Sequence, residues 1–392
     1  MLCLDVTRLV SRVGRGPYTG IDRVEYAWLV GLLDRNLPLT GLARTAAGFC
    51  FFDRTGLSAL KDRLDGRIVW GEPDLVSRLS RSLNPARRAA EADLRRLAIS
   101  SATRMGLSRL LTKSLKPGSL YLNLGHSNLD APVLRAVSRY ARVVVMLHDM
   151  IPLDLPETQR PGMAERFRRR VLAVRDHADF IVCPSHAAAS DVRRYIPEAA
   201  PIVAPLGVTL TAPGRMAPRI TAPFFSCLGT IDMRKNQSLL LDVWEELGLE
   251  APPLYLLGNR GWCDAALTAR LDRCPPNIHE IPNLDDGAVA ALIAQSTCLL
   301  HPSLAEGYGL PPLEASLRGV PVICSDLPVF RETLADIPIY AGPDDRYQWI
   351  EKIKQVLDKT SSAPQRRDPA SVQLDRPTWD RHLNLVLSQL WN

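Results

Sequence analysis

The sequence predicts an α/β protein of two domains, and three features of it do so. The 392 residues are enough for two or three separately packed cores. Short apolar runs ending in small polar residues alternate with stretches of helical periodicity, the pattern of parallel strands joined by helices. Residues 204–223 are rich in Pro, Gly and Thr and lack periodicity, so they read as the connection between domains.

Taken in order, residues 2–10 alternate enough for a first strand. Residues 11–20, SRVGRGPYTG, follow as a glycine-rich loop. Residues 21–33 carry helical periodicity through Ile21, Val24, Ala27, Trp28 and Leu32. In an open α/β sheet a loop between strand and helix faces the ligand crevice. No G-x-G-x-x-G is present, so dinucleotide binding is not indicated. Residues 84–116 read as one long helical stretch. In it Arg87, Arg88, Arg95, Arg96, Arg104, Arg109, Lys113 and Lys116 stand against only Glu91 and Asp93. Such a stretch can lie on an anionic membrane surface or form a solvated face with snorkelling arginines.

Residues 119–124 and 143–147 are strand-like. The first run ends in Gly125-His126-Ser127-Asn128 and the second in His148-Asp149, which places polar groups at the crevice. Arg166, Arg168, Arg169, Arg170 and Arg175 mark a second basic helix. Residues 180–185 make another strand, and Ser185 suits a helix cap.

The second half restarts with a strand at 224–228, a loop from Gly229 to Asn236 and a helix at 239–247. Adjacent Arg234 and Lys235 in that loop suit a diphosphate. Residues 254–257 form a strand ending in Gly258-Asn259-Arg260-Gly261-Trp262, and 281–284 is strand-like. Residues 298–330, CLLHPSLAEGYGLPPLEASLRGVPVICSDLPVF, say the most. They read as strand, glycine turn, helix, strand. Gly307 and Gly309 allow unusual backbone angles, and Pro311 and Pro312 fit a first helical turn. Gly319 ends the helix, with Pro321 beyond. Free N–H groups of the turn and first helical turn make an anion site. Glu306 and Glu314 flank that turn and can reach one ligand from two sides. A carboxylate accepts two hydrogen bonds, which suits a vicinal diol of a sugar. Residues 339–340 form a last strand, 360–377 are polar and loose, and 379–391 form an amphipathic final helix.

Composition excludes several classes. No apolar run approaches the ~18 residues of a membrane span. The first ten residues are too short and too charged for a signal peptide, since Asp5 and Arg8 interrupt them. The eight cysteines are scattered without C-x-x-C, which predicts buried thiols in a reducing cytoplasm rather than disulfides or zinc. Net charge is +6, but only Phe167 is aromatic among the clustered arginines and no recognition motif accompanies them, so nucleic-acid binding is not expected.

The string HPSLAEGYGLPPLEA resembles the signature of the retaining family-4 glycosyltransferases, two glutamates with seven residues between them. The resemblance implies the GT-B fold, two Rossmann-like domains facing across a cleft, with the sugar nucleotide held mainly by the second. It implies that Glu314 binds the ribose hydroxyls and Glu306 faces the transferred sugar and phosphates. His301, Gly307, Tyr308, Gly309 and Leu310 complete that segment. His148-Asp149-Met150-Ile151-Pro152 resembles the family segment whose His contacts the donor sugar. Thr19, Gly20 and Arg23 stand where an N-terminal loop approaches the donor diphosphate and acceptor. Gly229 opens the diphosphate loop, and Asn259 stands where the family binds the base. The family usually has Lys at Lys235 but often Arg where this chain has Thr230, so Arg234 is the candidate for the missing charge.

The expected catalytic set is therefore His148, Arg234, Lys235 and Glu306. The expected bounds are 1–207 for the first domain, 208–223 for the linker, 224–375 for the second domain and 376–392 for a helix crossing back. The whole pattern, including TGIDRVE and HDMIPL, looks most like bacterial mannosyl- or related transferases of surface polysaccharide assembly. That implies a nucleoside diphosphate sugar, GDP or UDP, as donor and a glycan or lipid-linked acceptor. If the acceptor is lipid-linked, the basic stretches of the first half would hold a cytoplasmic enzyme peripherally at the anionic inner face of the plasma membrane. No Asp-x-Asp occurs, so neither metal nor other cofactor is expected. An epimerase or phosphorylase of the same fold, or a non-catalytic sugar-nucleotide-binding protein, are the competing classes.

Overall fold

The computed structural model describes residues 1–80, 82–214, 220, 223–273, 275–362 and 376–391. Much of the expected linker, the expected end of the second domain at 363–375, and Cys274 lie outside the described residues.

Two sheets organise the chain. The first contains β1 (Leu2–Asp5), β2 (Leu39–Thr45), β3 (Gly48–Phe52), β4 (Ser100–Ala102), β5 (Ser119–Asn123), β6 (Ala141–Met146), β7 (Phe180–Cys183) and β8 (Ile202–Val203). Their spatial order is β4-β3-β2-β1-β5-β6-β7-β8. The second contains β9 (Phe225–Leu228), β10 (Leu254–Leu257), β11 (Ile278–Ile281), β12 (Cys298–His301), β13 (Val322–Ser325) and β14 (Ile339–Ala341), ordered β11-β10-β9-β12-β13-β14. Read from its own first strand, that is the 3-2-1-4-5-6 order of a doubly wound nucleotide-binding sheet. All its pairings are parallel, for instance Phe225 beside Leu254 on one side and Cys298 on the other. Its strands are short and apolar because helices cover both faces.

Several expected elements differ. The first strand ends at Asp5, whose Oδ1 takes the Thr7 N–H at 2.9 Å, and a helix, Thr7–Arg12, occupies part of the expected loop. The stretch 84–116 is not one helix. It divides into helix Pro85–Leu97, strand β4 and helix Leu107–Ser114. Ser100, Ser101 and Thr103 hold a helix poorly, and the Ile99 N–H finds the Phe51 carbonyl at 2.9 Å instead. Strand β4 thus lies antiparallel on β3, and β3 antiparallel on β2. Three arginines of this stretch are paired within the fold, Arg87 with Glu91 (3.0 Å), Arg95 with Asp74 (2.6 Å) and Arg96 with Asp93 (2.7 Å), while Arg104, Arg109, Lys113 and Lys116 are exposed. The described cysteines are free, and all but Cys263 are buried.

Helix Trp379–Leu390 packs on helix Gly20–Leu33 of the first domain, burying Leu383, Val386, Leu387 and Leu390. His382 stands at that seam. The Trp28 indole N–H donates to its Nε2 at 3.0 Å, and Nδ1 donates to the Ala204 carbonyl at 3.1 Å. Burial pushes the imidazole down to about 4, against the raising pull of the Pro205 and Ala204 carbonyls. A proton on Nε2 would also end its role as acceptor. Because the folded value lies below the unfolded ~6.5, the associated stability is complete above pH 6.5 and is lost as pH falls toward 4, about 2 kcal/mol of it by pH 5. Denaturant unfolding at pH 7.5 and pH 5 should therefore show a smaller acid loss in His382→Gln than in the parent. An equal loss would assign the acid sensitivity elsewhere.

Candidate functional site

In an open α/β sheet ligands bind outside the carboxyl ends of the strands where the strand order reverses. Here those points are β1/β5 and β9/β12. They face one another across a cleft of about 610 Å³. Fourteen of the fifteen residues expected at the site line it: Thr19, Gly20, Arg23 and His148 from the first domain, and Gly229, Arg234, Lys235, Asn259, Glu306, Gly307, Tyr308, Gly309, Leu310 and Glu314 from the second. His301 does not line it. It is buried at the end of β12, one layer behind Glu306.

Glu306 is the centre of the second domain's contribution. Its Oε1 accepts from Lys235 Nζ, from Ser303 Oγ at 2.8 Å and from His301 Nε2 at 3.1 Å. Its Oε2 pairs with Arg234 at 3.1 Å. Burial acts to raise this carboxyl, but the Lys235 and Arg234 charges and the His301 hydrogen bond outweigh it and hold it well below the usual glutamate range. His301 is pushed down to about 4 by burial, then by the Lys235 charge. It is thus a neutral donor that positions Glu306 rather than a ligand-facing group. Lys235 and Arg234 sit in a 3-10 turn, Met233–Lys235, capped by Asp232, whose Oδ1 takes the Lys235 N–H at 3.1 Å. Arg234 also donates to the Ala305 carbonyl at 2.9 Å. Gly229 has φ 141°, and its missing side chain leaves room beside the Lys235 ammonium. Asn259 Oδ1 accepts the Asn283 N–H at 3.0 Å and fixes the next loop.

The two glycines of the turn have different reasons. Gly309 has φ 90° and precedes helix Leu310–Leu317. Gly307 has no such angle. A Cβ on it would overlap the His148 carbonyl oxygen and stand 3.0 Å from its carbon, so it is there to let the other domain approach. Ser185 caps helix His186–Tyr195 as expected and also donates to the Gly307 carbonyl at 2.9 Å. The Tyr308 ring points to the hinge, where its hydroxyl donates to the Leu206 carbonyl at 3.1 Å.

On the opposite wall, His148 Nε2 donates to the Leu124 carbonyl at 2.7 Å, which leaves Nδ1 as the ring's acceptor. Burial pushes its value down to about 4, so the ring is neutral. Thr19 caps helix Gly20–Leu33, and Asp22 takes the Thr19 N–H at 2.7 Å together with Arg8 at 2.5 Å and Arg12 at 3.1 Å. Arg23 spans the cleft: it reaches Glu314 at 3.0 Å and Asp286 at 2.9 Å. Burial raises the Glu314 carboxyl, opposed by the Arg23 charge.

Asp22 and Asp286 were not singled out in the sequence. Asp22 had a signal, a capping pattern three residues after Thr19. Asp286 had none, because its partner lies in the other domain.

Residues 217–371 match the family described as glycosyl transferases group 1. That match covers the second sheet and less than half of the chain. The fold is GT-B: Anabaena HepE, solved in complex with UDP-glucose, aligns over 100% of this chain and 99% of its own at a TM-score of 0.64 and 12% identity. Sucrose-phosphate synthase from Thermosynechococcus elongatus aligns over 99% and 98% at 0.59 and 14%. Among curated relatives, the serotype-specific mannosyltransferase WbdA of Escherichia coli is 29% identical over 283 residues, 66% of this chain and 34% of WbdA. The O-antigen chain mannosyltransferase B of Escherichia coli is 36% identical over 123 residues, 30% of this chain and 32% of its own. The chain therefore spans about a third of the length of these glycosyltransferases. Among the described residues, no helix is long and apolar enough to cross a membrane.

Proposed function

We propose that the chain is a retaining glycosyltransferase. It moves a hexose, mannose favoured, from GDP- or UDP-sugar to a growing glycan or lipid-linked acceptor in polysaccharide synthesis. The observation that carries this reading is the buried Glu306–Lys235–Arg234 group facing His148 across the cleft. Two cations share the Glu306 carboxylate there, with Asp149 and Asp232 near Arg234, and they stand where a leaving diphosphate would gather negative charge. The mannosyltransferase relatives favour the sugar.

In this mechanism Lys235 and Arg234 stabilise the departing diphosphate with donors already oriented before reaction. N–H groups of the Gly307–Leu310 turn add to them. Glu306 keeps both cations in place, and His301 and Ser303 keep Glu306 in place. His148 Nδ1 accepts from a hydroxyl of the transferred sugar. The acceptor attacks from the face the phosphate leaves, and the leaving phosphate oxygen takes the acceptor proton, which retains configuration. Lys235, Arg234 and the turn suffice for the charge that develops, so the mechanism asks for no metal. The reading puts the protein in the cytoplasm. Arg168 and Arg169, exposed on helix Met163–His177 and only loosely turned to Glu165 at 3.7 and 3.9 Å, are among the exposed arginines that would touch an anionic inner-membrane surface.

The direct test supplies GDP-mannose and UDP-hexoses with an oligosaccharide acceptor and determines product linkage by NMR. An α-linked product from an α-linked donor is expected. Release of free sugar alone, or an inverted linkage, would refute the reading. A second test concerns Glu314. Glu314→Ala should weaken nucleotide binding by about 1–3 kcal/mol if its carboxylate accepts two ribose hydroxyls. Calorimetry giving unchanged affinity in the folded variant would leave Glu314 a purely structural partner of Arg23.

A further inference from the structure

One cluster of charges lies outside the group just described. Arg8 follows β1, Arg44 stands at the end of β2, Asp130 follows β5, and Arg166 and Arg170 lie on helix Met163–His177 after β6. These strands are neighbours in the order β2-β1-β5-β6. Arg8 reaches the Gly125 carbonyl after β5 at 3.4 Å, and Arg170 is close enough to Arg166, Arg44 and Arg8 to feel their charges. Phe167 pins the helix there: its side chain is buried with its ring 6.1 Å from His126, whose own ring is 5.0 Å from cleft-lining His148. On that helix Arg170 is part-buried and Arg166, one turn before it, is exposed.

Three carboxyl groups stand nearby, and one of them, Glu25 beside Arg8, is raised well above the usual glutamate range by burial, then by the Asp5 charge. Asp22 is shared by Arg8 and Arg12. Asp130 gives one oxygen to the Val133 N–H at 3.0 Å and meets Arg44 only at 3.4 Å. Burial, then the like charges of Arg166, Arg44 and Arg8, lower the Arg170 guanidinium, and Asp130 offsets this only in part. Arg8 is paired with Asp22, but Arg44, Arg166 and Arg170 have only the Asp130 contact at 3.4 Å among these, and guanidinium groups so placed suit an anion.

We propose that Arg44, Arg166 and Arg170, with Arg8 beside them, form a phosphate subsite of the first domain that holds the acceptor. The proposal rests on the transferase reading and names its substrate class: an acceptor glycan carrying a phosphate or diphosphate at its reducing end. Arginine forks suit phosphate oxygens, and the position beside His148 puts the acceptor's far end near the donor sugar. A lipid-linked diphosphate and a soluble glycan phosphate share this chemistry.

The test compares one glycan in three forms: neutral, with a reducing-end phosphate, and with a short-chain lipid diphosphate. Wild-type protein should show a KM roughly 10- to 100-fold lower for both phosphorylated forms than for the neutral glycan. The double variant Arg44→Gln/Arg170→Gln should lose that preference, while exposed Arg139→Gln keeps it. A preference confined to the lipid-bearing form would show that the lipid is recognised and would overturn the subsite. So would a double variant that keeps the preference. A readout without turnover uses protein saturated with GDP, where added pyrophosphate should raise the Tm of wild type and not of the double variant. Failure of wild type to transfer to any acceptor would refute the transferase reading instead, and the pyrophosphate shift would still decide the subsite.

Discussion

Lys235→Ala is expected to lower turnover about 100- to 1,000-fold, the range seen when one preorganised donor is removed from a developing anion. Donor affinity should fall far less, because the diphosphate gains most of its charge only on leaving. The side chain is well placed for that role. It is almost buried, one of its three N–H groups is engaged by Glu306, and its loop is fixed by Asp232. Removal also leaves Glu306 with Arg234, His301 and Ser303, so the pocket keeps partners and should still fold. The measurement is single-turnover transfer beside equilibrium binding of the intact donor. Normal turnover with only a raised KM would show that Lys235 holds the donor without stabilising its departure.

Gly307→Ala should produce the second large effect, by a different route. The added methyl would meet the backbone of His148, which has no rotamer to turn away, and stand 3.2 Å from Asp149 Cβ. Overpacking of this kind costs about 1–3 kcal/mol. Here the cost falls on closing the two domains over the cleft rather than on either core. Turnover should drop about ten- to a hundred-fold with little change in melting temperature. Gly309→Ala is the contrast. Its methyl would meet Phe330 inside the second domain and would need φ 90° of a residue with a side chain, so it should destabilise folding itself. If Gly307→Ala melts early and Gly309→Ala does not, the two glycines have been assigned the wrong way round.

Residues 298–330 were legible in the sequence because their constraints are local. A strand, a glycine turn and a proline-started helix follow from neighbours in the chain, and the two glutamates ride on that frame. His301 was placed in the right segment but at the wrong depth, since whether a strand-end side chain faces a ligand or backs a neighbour depends on the strands beside it. The basic helix shows the same limit. Arg166 and Arg170 differ from Arg168 and Arg169 only in which way each faces, and Phe167 packing on His126 decides that. The antiparallel edge β2-β3-β4 gave no periodic signal of its own, and β4 is only three residues long. The Arg23–Glu314 contact joins residues 291 positions apart, and no pattern within either segment announces it.

The seam at His382 bears on how the cleft opens. Two stretches of chain run side by side where the domains meet: near Val208, whose N–H donates to the Pro377 carbonyl at 2.9 Å, and near Gly207, which has no room for a methyl against Trp379. A single connecting thread would let the second domain swivel and tumble. Two threads bonded together behave as a door hinge with one axis. The second domain can swing along that arc but cannot easily twist off it, so each closure returns Gly307 to His148 and Glu314 to Arg23 in the same register. Cutting one thread, by ending the chain before Trp379, should turn the door into a pendulum: the nucleotide wall would keep its shape, but the two faces would rarely meet in alignment.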